Sequence, residues 1–148
     1  MRKPLDIAVA LLVGILLAWL TMYLMGVMAA ITIPHSFFVA LKGHPIAVSL
    51  LHTTLLVQLP SVLLASLIGW LLFRALGQGN LSLVLACSAP WLVNVAMDSI
   101  TYYTASESPF FAALGMYFGW NAWLGVLGVP LGLWLALKVS QRRTENAP

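Results

Sequence analysis

The sequence is poor in charge. Seven Lys and Arg and four Asp and Glu make up 7% of its 148 residues, where soluble domains carry roughly 25%. So few charges cannot coat a water-facing surface around a chain that is 61% hydrophobic, so most soluble-enzyme classes are excluded and an integral membrane protein is indicated. A single cysteine, Cys87, excludes an intrachain disulfide and a thiolate metal cluster. The basic excess is a handful of mostly terminal charges with no stripe of the kind nucleic acid requires. Also missing are paired carboxylates, CxxC, GxSxG, HExxH and phosphate-cradling loops. A membrane enzyme would have to draw its general acid and base from Asp98, Glu107, His35, His44 and His52, which no motif gathers around a substrate. The expectation is therefore a non-enzyme without a cofactor.

What is there is apolar sequence in long runs. A spanning helix needs about 20 mostly apolar residues, because its backbone must satisfy its own hydrogen bonds across about 30 Å of hydrocarbon. Four stretches qualify, at about 7–33, 46–73, 81–103 and 109–139, and they predict a single all-α domain: an antiparallel bundle of four transmembrane helices. Pro34 stops the first, Pro45 precedes the second, and Ser108 with Pro109 forms a start signal for the fourth. Arg2, Lys3, Arg74, Lys138, Arg142 and Arg143 fall on one side of this topology and Lys42 alone on the other. Basic residues favour the cytoplasmic side, which predicts both termini inside a bacterial-type inner membrane. The first apolar run is too long for a signal-peptide core of about 7 to 15 residues and reads as an uncleaved helix. The connector 34–45, with Phe37, Phe38, Val39 and Leu41 beside His35, Lys42 and His44, suits a segment lying in the outer interface.

Polar residues inside the spans carry the most information, since each needs a partner there. Thr54, Gln58, Ser61, Ala65 and Gly69 recur at helical spacing on one face of the second span. Cys87, Trp91, Asn94, Asp98 and Thr101 do so on the third. The short turn 74–80 suggests that these spans pair as an antiparallel hairpin, in which facing residues share a constant sum. Thr54 with Asp98, Gln58 with Asn94, Ser61 with Trp91 and Ala65 with Cys87 obey that condition. The expectation is a Gln58–Asn94 hydrogen bond across the hairpin. An aspartate at a helix centre costs about 2.5 to 3.5 kcal/mol, more than one interhelical hydrogen bond of about 0.6 to 2 kcal/mol offsets. Asp98 must then be protonated, shallow, or set against a wet cavity or a partner; the nearby Tyr102 and Tyr103 favour the shallow position. His52 points away from the Thr54 and Gln58 stripe and reads as an interfacial histidine.

Pro60 and Pro90 predict kinks, each freeing the carbonyl four residues earlier, at Leu56 and Ala86. Two further faces carry small residues: Ala10, Gly14, Ala18 and Thr21 on the first span, and Gly125, Gly128 and Gly132, in line with Tyr117 and Asn121, on the fourth. Such residues let helices approach closely, within the bundle or at an oligomer contact. His35, His44 and His52 with Met22, Met25 and Met28 match no compact metal or haem motif. Two functional expectations follow. One is a structural, accessory or assembly component that packs in the bilayer with itself or with a larger membrane complex. The other is a small homo-oligomeric transporter or channel whose polar path is lined by Gln58, Asn94 and Asp98.

Overall fold

The computed structural model describes residues 3–31, 35–40, 42, 44–105 and 120–145. Among them the chain is helical, with no strand. Helix α1 spans Lys3–Ala29, α2 is the short His35–Ala40, and α3 is Pro45–His52. A π-helical segment, Thr53–Gln58, carries α3 directly into α4, Leu59–Leu76. Helix α5 is Leu81–Ala105 and α6 is Trp120–Glu145. Three segments are long and apolar enough to cross a membrane: Lys3–Met28, Thr53–Leu76 and Leu81–Asp98. The expected fourth span lies partly outside the described residues, and its described part belongs to α6, which runs past residue 139 to Glu145. The first helix begins a turn earlier than the apolar run, because Lys3 and Asp6 join it.

Local chemistry explains the breaks. Pro60 has no N–H, and its ring crowds the carbonyl four residues back. The helix answers with a wider turn just before it, where the Leu59 N–H reaches the Thr54 carbonyl five residues back. The bend expected at Pro60 thus takes the form of a π-helical segment. Gly77 ends α4 in the left-handed region at φ 66° and donates its N–H to the Arg74 carbonyl at 3.3 Å. Three residues later Asn80 opens α5 by accepting the Leu83 N–H on Oδ1 at 3.0 Å.

Packing corrects the expected hairpin. Helix α4 packs chiefly on α6, and α5 chiefly on α1; α5 also meets α6, and α1 meets α4 and the π-helical segment. Helices α4 and α5, though joined by a short turn, hardly touch. Each dominant pair runs parallel. A Cβ on Gly132 would fall 2.5 Å from the Val62 carbonyl oxygen and 2.7 Å from the Ala65 Cβ, and one on Gly69 would fall 3.1 Å from the Ala136 Cβ. One on Gly14 would collide with the Cys87 carbonyl. The turn bridges the diagonal by laying Gly79 against Leu137 and Phe73. The expected stripes are buried only in part, from Gln58 to Gly69 and at Cys87 and Trp91, and their closest approaches are to glycines of a parallel helix and not to the other stripe. Ser61, Ala65 and Gly69 meet α6, whereas Cys87 meets Gly14 of α1. The reason is steric: backbones approach most closely where one of them lacks a Cβ, and glycine is concentrated on α6 and at Gly14.

Gly132→Ala should therefore lower thermal stability by about 1 to 3 kcal/mol, the usual cost of overpacking. Gly26, on the same kind of helix but with nothing within 4 Å of an added Cβ, should accept alanine without loss. Thermal unfolding in detergent compares the two; equal tolerance at both positions would contradict the close packing.

Candidate functional site

The residues most in need of explanation are the polar ones within the apolar helices, because lipid offers them no hydrogen bonds. Gln58, 6% exposed, closes the π-helical segment, and its Oε1 lies 3.1 Å from where a Cβ on Gly128 would stand. The amide therefore rests on bare backbone of α6, not on Asn94. Ser61, one turn on, is buried on the same face and lies against Gly128 as well. Thr21 of α1 is wholly buried, and its Oγ1 has no hydrogen-bond partner. Thr54 is exposed and His52 half-buried.

On α5 the exposure rises from Cys87 and Trp91, both buried, through half-buried Asn94 to exposed Asp98. Asn94 Nδ2 donates to Asp98 Oδ2 at 3.5 Å, one turn along the same helix. The expected Gln58–Asn94 bond is replaced by this local pair, because the π-helical segment that carries Gln58 packs on α1 and α6 and hardly touches α5. Gln58, Asn94 and Asp98 are thus not brought together as one cluster. Gly128 and Gly132 face α4 and Gly14 faces α5. Gly125 lies within α6, whereas Tyr117 and Glu107 lie outside the described residues. Among the described residues no three His, Cys, Asp or Glu side chains are grouped closely enough to hold a metal ion.

Backbone carbonyls supply the partners that sequence reasoning missed. Pro130, inside α6, deprives the Val126 carbonyl of its helical donor. The Trp91 indole N–H of α5 donates to that carbonyl at 3.1 Å. A tryptophan that is 4% exposed needs such an acceptor, and a proline-freed carbonyl is a ready one. The signal was available: the rule applied to Pro60 and Pro90 also points to Val126. Ser66 Oγ donates to the Gly132 carbonyl at 3.1 Å, tying α4 to α6 where they are closest, and Ser88 Oγ donates to its own helix at Val84, 2.7 Å away.

At the Gly77 end of the helices, Asp6 is only 8% exposed and accepts a 2.6 Å hydrogen bond from Gln78 Nε2 on Oδ2. Asp6 was outside the expected span, so its burial was not anticipated; its place in the first turn of α1, where an acidic side chain favours the helix N-terminus, was the available signal. Arg74 lies over the Trp70 ring at 5.4 Å and Lys138 over Trp134 at 5.7 Å, each cation one turn past its tryptophan. Comparison of the chain with protein-family models, curated proteins and solved structures gave no match.

Trp91→Phe should cost about 0.6 to 2 kcal/mol, the range for an interhelical hydrogen bond in a membrane. In a Pro130→Ala background, where position 130 regains its N–H for the Val126 carbonyl, the same change should cost measurably less. A double-mutant cycle by thermal or denaturant unfolding reads this coupling; an identical cost in both backgrounds would dismiss the carbonyl as the reason for Trp91.

Proposed function

We propose that the chain is a non-enzymatic component of a cytoplasmic membrane: an antiparallel four-helix bundle with both termini inside that works by packing against itself or a larger membrane complex. The observation that carries this reading is the Asn94–Asp98 pair. Both residues lie on a segment apolar enough to cross a membrane, Asp98 is exposed, and their mutual bond is local to α5. Asp98 closes that segment and Asn94 is half-buried; a partly uncovered polar pair at the end of an apolar segment is favourable against a polar group on another helix. The glycines, by contrast, are already engaged within the chain, with Gly14, Gly69, Gly128 and Gly132 in contact with neighbouring helices. This shifts the partner surface from the glycine faces to the exposed part of α5. The membrane placement draws support from Arg74 and Lys138, which lie over tryptophan rings in the C-terminal parts of α4 and α6, as interfacial anchors do.

The second reading, a small homo-oligomeric transporter or channel, draws on the same pair. The rising exposure along α5 would suit the mouth of a polar path. Buried Gln58 and the partnerless Thr21 hydroxyl would lie further in.

Native mass spectrometry of gently extracted protein separates these readings. The packing reading expects a stoichiometric assembly, with itself or a second polypeptide, that Asn94→Leu with Asp98→Leu dissociates while the monomer stays folded. A monomer in the unaltered protein would contradict it. Asp98→Asn abolishing ion or solute flux in proteoliposomes, with the assembly intact, would transfer the function to transport.

A further inference from the structure

An open cavity of about 980 Å³ lies between the first turns of α1 and the end of α4 with the turn that follows, lined by Lys3, Leu5, Asp6, Val9, Leu76 and Gln78 among others. Its position is specific. Two segments apolar enough to cross a membrane meet here, since Lys3–Met28 begins and Thr53–Leu76 ends at this level, and the membrane placement proposed above puts the polar boundary at the cavity. Its wall combines an apolar side of Leu5, Val9 and Leu76 with one basic and one acidic side chain.

Asp6 is the unusual member. It is more than nine-tenths buried, and among the described residues it accepts a hydrogen bond from the neutral amide of Gln78 and makes no ion pair. A carboxylate oxygen that accepts from one neutral amide keeps lone pairs to offer, and a cation that also donates hydrogen bonds is the partner that suits them best. Lys3 does not fill that role: it is exposed and makes no ion pair with Asp6. Its charge is free to meet an anion at the rim of the same cavity.

We propose that this cavity binds the headgroup of an ethanolamine phospholipid, with the primary ammonium on the Asp6 carboxylate, the phosphate at Lys3, and the acyl chains along Leu5, Val9 and Leu76. The zwitterion matches the two charges in the wall. A choline headgroup has no N–H to give Asp6, and a glycerol headgroup has no cation. The inference rests on the membrane placement proposed above and adds a ligand to it.

The test is native mass spectrometry of the delipidated full chain titrated with phosphatidylethanolamine, phosphatidylcholine and phosphatidylglycerol of matched acyl chains, with free phosphoethanolamine as competitor. Phosphatidylethanolamine should bind about tenfold more tightly than either other lipid, and Asp6→Asn should erase that preference. Lys3→Gln, an exposed position that leaves the fold alone, should weaken phosphatidylethanolamine several-fold and decides the matter if Asp6→Asn fails to fold. Equal binding of the three lipids, a preference that survives Asp6→Asn, or no effect of Lys3→Gln overturns the proposal. Free phosphoethanolamine binding as tightly as the lipid would make the ligand a soluble one and overturn it too. Carbonate extraction of the same preparation reports separately on membrane placement, so failure there is distinguishable.

Discussion

The fold depends on how closely two helix backbones can approach. In lipid the tails are as apolar as the side chains, so helices gain little by hiding leucine from them, and association rests on contact and hydrogen bonding. The chain accordingly places leucines such as Leu12, Leu63 and Leu85 outward. It reserves glycine for the contacts between parallel helices: Gly14 against the Cys87 carbonyl, and Gly132 against Val62 and Ala65. Once α1 is seated on α5 and α4 on α6, the order of helices around the assembly follows. The turn at 77–80 is left to cross the diagonal, and Gly79 allows this by packing on Leu137 and Phe73.

The second constraint is that no backbone carbonyl can be left for water. Prolines in α4, α5 and α6 each break a helical hydrogen bond, and the chain deals with two of them visibly. Before Pro60 the helix widens into a π-helical segment; at Pro130 a tryptophan from α5 supplies the donor. That bond also explains why α5 meets α6 although its main contact is α1. Serine hydroxyls extend the same logic, since Ser66 donates to the Gly132 carbonyl where the absent side chain leaves it accessible.

How much of this could be read from sequence differs between faces and partners. Apolar run length located the three segments apolar enough to cross a membrane to within about two turns, and helical spacing identified much of the buried faces: Ala10, Gly14, Ala18 and Thr21 are all buried, as are Gln58, Ser61, Ala65 and Gly69, whereas Thr54 of the same stripe is exposed. The pairing of those faces was not legible. The steps of four and three that make Gln58, Ser61 and Ala65 match Asn94, Trp91 and Cys87 in an antiparallel sense recur along every helix. They therefore fit Gly125, Gly128 and Gly132 in a parallel sense equally well. Periodicity carries orientation about an axis but no identity of the neighbour. Glycine content did carry it, because Gly128 and Gly132 mark the helix that permits the nearest approach. Of the candidate polar path, Gln58 proved buried and Asn94 and Asp98 bonded to each other. Asp6 was overlooked, because charge placed it outside the hydrocarbon whereas packing buries it against Gln78.

The central claim is the parallel pairing of α4 with α6 in place of a hairpin with α5, and disulfide cross-linking in native membranes tests it most directly. With Cys87 replaced by alanine, cysteines at Ser61 and Gly128 should form a disulfide readily. Their Cβ atoms would stand 3.8 Å apart, within the range of about 3.5 to 4.5 Å that the bond requires. Cysteines at Ser61 and Trp91, the hairpin pairing, should remain reduced. Cross-linking of Ser61 to Trp91 but not to Gly128 would contradict the account.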